Sequence, residues 1–448
     1  MITVKIDKGY NLNLSGKPSL KLDAPENPTH VAAVPERIPF IKPKLKVDIG
    51  DPVKIGSVLF IDKKRPDLKF LSPGGGKIAA INYGHRRVIK EIVIKLSNKE
   101  PKKKLSSISE ADLKKTKKEK LAAILMEGGV WPFIRALPFR EIASPDTLPH
   151  SIWISLDSKD PFQPDPRVYL HTQETLLNFG INILNKFSSN VHVIAPADNS
   201  YLFENHKKLI SHTFSGCYPA DDPGVILYHT KKSSPENHAW YINGQDLLLL
   251  AQMVKTGTYP IERTVAVSGL SADESVHVKT RMGAKIDSLI PNSSKKNGGH
   301  YVTGGIFRGH ITQKETYLGF YETSLGIIPA FPEKEFFGFL RPGFDRLSYS
   351  RLFLSVLNRS AMKIDNSMHG EERSCINCGT CAEACAVDIL PQFMYKSLVA
   401  DEIEDALSHG LLDCVECGLC TYVCPSKIEL SATFTKERRA YYQEQLTE

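Results

Sequence analysis

Short apolar runs broken by glycine and proline fill the first hundred residues. Lys44-Leu45-Lys46-Val47-Asp48 alternates, Gly50-Asp51 signals a turn, and Val58-Leu59-Phe60-Ile61 follows Gly56. After Ser72-Pro73-Gly74-Gly75-Gly76 come Ile78–Ile81 and then Val88–Ile94. Period-two runs bounded by turn residues predict a small barrel or sandwich over 1–100. Residues 101–120 are dense in lysine and read as a charged linker with a helix-like run. The period then changes. Ser151–Leu156, Val191–Ile194 and Val225–Tyr228 predict strands, whereas Leu176, Leu177, Ile181 and Leu184 recur at helical spacing. Ser200 predicts the cap of a helix reaching Leu209, and Leu247–Ala251 fits a buried helix. That alternation predicts an open α/β sheet over 101–254. Thr264–Gly269 and the glycines after it return the pattern to β over 255–330, as in a β-grasp domain, and 331–448 reads as more helical. The predicted fold class is therefore multidomain α+β, as 448 residues require.

Composition narrows this picture. Apolar residues at 42% and charged residues at 24% exclude a globally disordered chain. No run approaches the ~18–20 apolar residues of a membrane-spanning helix. Met1–Asp7 lacks the layout of a signal peptide, so a cytoplasmic location is expected. The net charge of +7 is uneven: residues 1–120 carry 27 Lys+Arg against 13 Asp+Glu, and the remainder 30 against 37. A basic front can meet nucleic acid, anionic headgroups or an acidic partner, but a solvated lysine-rich face accounts for it more simply. No nucleic-acid partner is expected.

Cysteine usage is decisive. Eight of the nine cysteines lie between Cys375 and Cys424. They form Cys375-x2-Cys378-x2-Cys381-x3-Cys385 and Cys414-x2-Cys417-x2-Cys420-x3-Cys424-Pro425, the spacing of two-cluster ferredoxins. Two intervening residues let the chain wrap a cluster corner so that successive thiolates meet separate irons. The fourth cysteine of each run ligates the other cluster. One 4Fe-4S cluster is thus expected on Cys375, Cys378, Cys381 and Cys424, and the other on Cys414, Cys417, Cys420 and Cys385. Structural zinc needs only paired C-x2-C units, and here both runs carry the third and fourth cysteines as well. Gly379 and Gly418 follow the second cysteine of each run, where they relieve crowding and free backbone N–H groups toward sulfide. Between the runs, Asp401 suits an N-cap, Ile403, Ala406 and Leu407 form an apolar stripe, and Gly410 suits the residue after the helix. Ala386 stands where the second run has Pro425. Two such clusters relay single electrons, and no catalytic residue is expected in this chain.

Other signals are weaker. Gly74-Gly75-Gly76-Lys77 lacks the Ser or Thr and the helix of a phosphate loop, and Ile78 opens a strand instead. No G-x-G-x-x-G joins a strand to a helix, so the α/β domain lacks the usual nucleotide signature. Cys217 reads as a lone thiol, and His212 and His369 as structural histidines. Arg281 and Arg308, among glycines, suit anions or interdomain ion pairs.

Ordered segments also carry a family resemblance: Lys8–Pro18, Glu127–Phe139, Phe214–Ala220, Val278–Ala284, Leu340–Ser348 and Met368–Glu371. Together they resemble the NqrA component of the sodium-translocating NADH:quinone oxidoreductase (Nqr). The resemblance implies a biotinyl/lipoyl-like half-barrel, a Rossmann-like domain, a β-grasp (SLBB-like) domain and a helical end. The Val47–Leu59 pattern fits that half-barrel but lacks a modifiable turn lysine, which makes it a scaffold. It also implies a peripheral subunit on the cytoplasmic side of the bacterial inner membrane, attached through membrane-embedded partner subunits. The complex would oxidise NADH, reduce quinone and export Na⁺. The cysteine region is similar instead to the RnfC component of the Rnf ferredoxin:NAD oxidoreductase, which makes a flavin- and NADH-binding electron-input subunit the alternative. The segment matching its glycine-rich flavin loop, Glu127–Phe133, fills the opening with Val130 and Trp131, which argues against FMN or NADH there.

Overall fold

A computed structural model describes residues 1–24, 28–269, 275–290, 299–329, 337, 340–364 and 370–446. His369 and Met368 lie outside the described residues. The front of the chain forms two facing antiparallel sheets. One orders His30–Ala33, Ile89–Leu96, Gly76–Tyr83 and Pro52–Val53, and the other Pro43–Leu45, Val58–Asp62 and Lys69–Leu71. Val31, Phe60, Phe70, Ile78, Ile92 and Ile94 are buried in the apolar cluster they share, and Leu59, on the other face of its strand, is buried in the same cluster. Gly74–Gly76 belongs to this packing: the backbone N–H of Gly75 donates to Glu100 Oε2 at 2.7 Å.

The second unit is a six-stranded sheet ordered Ile2–Lys5, His212–Ser215, Val191–Pro196, Ser151–Ser155, Ala239–Asn243 and Arg135–Ala136. All neighbours run parallel except the last, antiparallel pair. All five residues of Ser151–Ser155 are buried, as a parallel strand covered on both faces must be. The helices Glu174–Leu184 and Gly244–Thr256 pack through Leu177, Gly180, Leu247 and Ala251. The lysine-rich stretch is fastened rather than loose. Leu105, Ile108 and Leu113 are buried, and it forms the short helices Glu110–Lys115 and Lys118–Glu127.

Several expectations are corrected. Val225–Tyr228 is not a strand but part of the helix Pro223–Thr230. Asp222 caps it by accepting from Gly224 N–H, and Pro223 occupies its first turn. A short apolar run has no periodicity with which to separate a buried helix from a strand. The remaining parallel strand is Ala239–Asn243. Asn199, not Ser200, caps its helix, which ends at His206. Asp401 lies at φ 59°, and the helix Ile403–Ser408 starts after Glu402. The described residues 340–364 hold a 3-10 turn, Leu354–Leu357, and no α-helix; helices begin at Thr380. Two strands from the first 24 residues also leave the front unit: Ile2–Lys5 joins the α/β sheet, and Leu22–Asp23 pairs with Val276–Arg281.

The third sheet is mixed, ordered His310–Thr312, His300–Thr303, Ser324–Ile328, Glu262–Ser268, Val276–Arg281 and Leu22–Asp23. The cysteine region has no separate core. Val387, Leu411, Ile428 and Phe434 join Val4, Phe214, Val225 and Ile226 of the α/β unit in one cluster. Lys8–Pro18 straps the junction. Lys8 Nζ meets Asp388 at 2.7 Å, Tyr10 stacks on Tyr422, and Leu14 bridges to Met362.

Arg281 joins the third sheet to the front unit. It donates to Glu100 Oε2 at 2.9 Å and to Pro73 O at 2.8 Å. Burial pushes the Glu100 carboxyl up, but the bonds from Arg281 and Gly75 outweigh it and hold the group below the usual carboxylate value. Arg281→Ala is expected to cost about 3 kcal/mol at neutral pH in urea unfolding. Because the folded pKa is depressed, the stabilisation is present above the ordinary carboxylate range and is lost as pH falls through the folded value. The gap between wild type and variant should therefore narrow below about pH 4.

Candidate iron–sulfur centre

The two cysteine runs fold alike. Asn377 and Glu416 lie at φ 56° and 53°, Gly379 and Gly418 both at 78°, and Asp388 and Lys427 at 51° and 59°. Each glycine opens a one-turn helix, Thr380–Glu383 or Leu419–Tyr422, that carries the third cysteine inward. A small cavity is lined by Cys375, Cys378, Cys381 and Cys424, together with Gln392, Ile428 and Leu430. Three of these sulfurs come from the first run and one from the second. The Thr380 hydroxyl donates to Cys378 Sγ at 3.3 Å.

The other four thiols interact mutually. Burial pushes Cys417 up to about 12 and Cys385 up to about 11, with Cys385 and Cys414 adding to the first rise and Cys414 to the second. Cys420 is raised far above its ordinary value by burial and then by Cys417, Cys414 and Cys385. Thiols buried in this way stay protonated unless a cationic group holds the thiolate. Sulfurs that enclose a space rather than meet at a point fit the separated irons of a cubane better than a single tetrahedral zinc.

A far larger cavity, about 900 Å³, adjoins the second run through Val415 and Glu416. It opens at the carboxyl ends of Ser151–Ser155 and Ala239–Asn243, between which the strand order changes direction. Its floor holds Asp157, Asp160, Asp221 and Asp222. Asp222 meets Arg140 and Arg308, each at 2.7 Å. Burial opposes its ionisation, but the two guanidinium groups overcome this and hold the carboxyl far below its usual value. Asp160 has no such pair. Burial pushes it up to about 7, against the pull of Arg308 and the N–H groups of Phe307 and Ile306.

Other candidate residues find structural roles. Arg308 and Arg281 both make interdomain ion pairs. Cys217 is a half-buried free thiol. His212 packs against Trp153 and His192. Gly128 and Gly129 face Met253 and Leu71 at distances that leave no room for a Cβ, and Val130, Trp131 and Phe133 are fully buried. The Trp131 indole donates to Ala143 O at 2.8 Å. The carboxylate floor and Arg438, buried in the last helix, were not anticipated from sequence. Their only linear trace is Asp221-Asp222-Pro223, which reads as a helix start.

Comparisons with known proteins agree with this layout. Residues 4–97 match the NqrA N-terminal barrel-sandwich hybrid domain, 116–259 the NqrA second alpha/beta domain, and 374–428 a 4Fe-4S dicluster domain. The chain is thus a multidomain α/β protein with a C-terminal 4Fe-4S domain. The NqrA component of the Na(+)-translocating NADH-quinone reductase of Neisseria gonorrhoeae (strain ATCC 700825 / FA 1090) is 30% identical over 97% of this chain and 98% of its own length. That of Yersinia pseudotuberculosis (strain IP 31758) is 29% identical over 95% and 96%. The chain belongs to the NqrA family of Na(+)-translocating NADH-quinone reductase subunits. An NAD+-reducing [NiFe]-hydrogenase structure aligns over 52% of each chain at 11% identity and a TM-score of 0.35. No helix among the described residues is long and apolar enough to cross a membrane.

Two outcomes follow from this geometry. A Cβ at Gly418 would lie 2.8 Å from Phe307 O, whereas at Gly379 it would meet nothing within 4 Å. Gly379→Ala should cost about 1 kcal/mol for the left-handed backbone alone, and Gly418→Ala distinctly more, as read by thermal unfolding. Asp160, held protonated in the fold to about 7, makes stability fall as pH rises from the ordinary carboxylate range toward neutrality. Asp160→Asn should gain on wild type as pH rises above that range and show a flatter profile between it and about 7.

Proposed function

We propose that this chain is the peripheral, electron-transferring subunit of a Na⁺-translocating NADH:quinone reductase complex, carrying two 4Fe-4S clusters as a one-electron relay. In this reading it docks on membrane-embedded subunits at the cytoplasmic face of the inner membrane. Cys375, Cys378, Cys381 and Cys424 hold one cluster, and Cys414, Cys417, Cys420 and Cys385 the other. The observation that supports it best is the cavity whose sulfurs come from both runs. We read the units as a biotinyl/lipoyl-like half-barrel over 1–100, a Rossmann-like domain over 101–254, a β-grasp domain over 255–330 and a helical cluster domain over 331–448.

When bound, such clusters supply outer-sphere transfer of single electrons. The chain's own residues hold the thiolates, exclude water through Ile428, Leu430 and Val423, and anchor the pair to the α/β unit. Hydride chemistry and Na⁺ movement fall to partner subunits, while quinone, which the family resemblance links to this subunit, is kept as a candidate cofactor with no pocket assigned. The RnfC-like alternative requires a flavin, and the segment that would hold it is packed as core.

Anaerobic purification with iron, sulfide and flavin assays tests the reading. About eight iron atoms per chain without flavin is the expected result. Near-stoichiometric flavin would favour the alternative, and iron-free protein would end the relay reading. Cys385→Ser should damage the cluster held mainly by the second run. Loss confined to the cluster of Cys375, Cys378 and Cys381 would overturn the crossed ligation.

A further inference from the structure

The two cysteine runs share a backbone but not an electrostatic setting. Arg438, with a side chain 1% exposed, donates to Cys414 O at 2.7 Å and Glu416 Oε1 at 3.1 Å, and also to Pro138 O. Arg308 reaches Val415 O at 3.5 Å while paired with Asp222. Its guanidinium lies 5.6 Å from the ring centre of Tyr218, whose hydroxyl donates to Cys417 O at 2.9 Å. Arg140 completes the group through Asp222. The carboxylates facing these three arginines are Asp222, which Arg140 and Arg308 hold ionised, and Glu416, while burial pushes Asp160, Asp221 and Glu141 toward the neutral form. A positive excess therefore stands beside the second run. Beside the first run stand Arg373, which is exposed and reaches Pro425 O at 3.4 Å, and Lys8, which donates to Ala382 O at 3.3 Å but is 41% exposed and neutralised by Asp388 at 2.7 Å, so the positive charge on this side faces solvent. Water screens that charge, whereas a buried guanidinium acts through a low local dielectric.

Adding one electron to a cluster adds one negative charge, and no bond need form or break. A nearby buried cation favours the reduced form, and an exposed one does so weakly. We propose that Arg438 and Arg308 are positioning residues that selectively raise the reduction potential of the cluster held by Cys414, Cys417, Cys420 and Cys385, so that the electron is held on the side of the large cavity. Val415 and Glu416, which separate two of those ligands, line that cavity. The inference rests on the two-cluster reading and adds to it a direction within the molecule.

The test is a redox titration of the full chain, loaded anaerobically, with dithionite as electron donor and EPR as readout. The couple that Cys385→Ser removes identifies the second cluster. Arg438→Gln and Arg308→Gln should each shift that couple toward the oxidised form by about tenfold, ~59 mV for one electron, and leave the other couple in place. Arg438→Lys, which keeps the charge, should restore most of the shift, and Arg373→Gln should move neither couple. If Arg438→Gln does not fold, Arg308→Gln decides alone, because that side chain is 28% exposed. Full loading with both couples unmoved, or both moved equally, would overturn this inference alone. A chain that binds no iron would overturn the two-cluster reading together with it.

Discussion

Sulfur burial governs this molecule. Burial pushes the Cys381, Cys385, Cys414, Cys417 and Cys420 thiols up, and each rise is a preference for the neutral form. That preference reverses only when a multivalent cationic group sits among them. The region containing these thiols has no core of its own. It completes its core with Val4, Phe214 and Ile226, which belong to the α/β unit. Ligand geometry and domain packing are therefore one problem, solved by one set of apolar contacts.

This arrangement gives separate tasks to the chain's segments. The α/β sheet supplies a rigid wall; its helix Pro223–Thr230 touches the cysteine region through His229, whose Nε2 lies 2.7 Å from Ala386 O, and the following Lys231 pairs with Asp413. The amino-terminal strap closes the opposite side through Lys8 and Tyr10. The arginines at the junction answer carboxylates that would otherwise be buried alone, and they thereby bring positive charge close to Cys414 and Cys417.

Much of this was legible in the chain, and what was not has identifiable causes. The cysteine runs could be read because ligand spacing is local: two residues between thiolates constrain the backbone wherever the rest of the chain lies. The strands at Ser151 and Val191 and the helix at Glu174 could be read because their apolar periodicity spans enough residues. Val225–Tyr228 could not, since four apolar residues look alike in a buried helix and in a buried strand. The migration of Ile2–Lys5 to a distant sheet edge left no trace, because pairing across about two hundred residues is decided by tertiary packing. The cavity floor was hidden for a similar reason. Asp157 and Asp160 follow one strand and Asp221 and Asp222 follow another, and the two pairs converge only once the strands align.

The shared core also has a temporal meaning. A ribosome releases the wall long before it releases the last cysteine, and domains tend to consolidate in order of synthesis. The nascent polypeptide thus presents a finished platform, with an apolar patch around Phe214 and Ile226 still bare, while its thiols emerge. On the two-cluster reading, cluster insertion and the covering of that patch become coupled late steps, because both wait for the same stretch of chain.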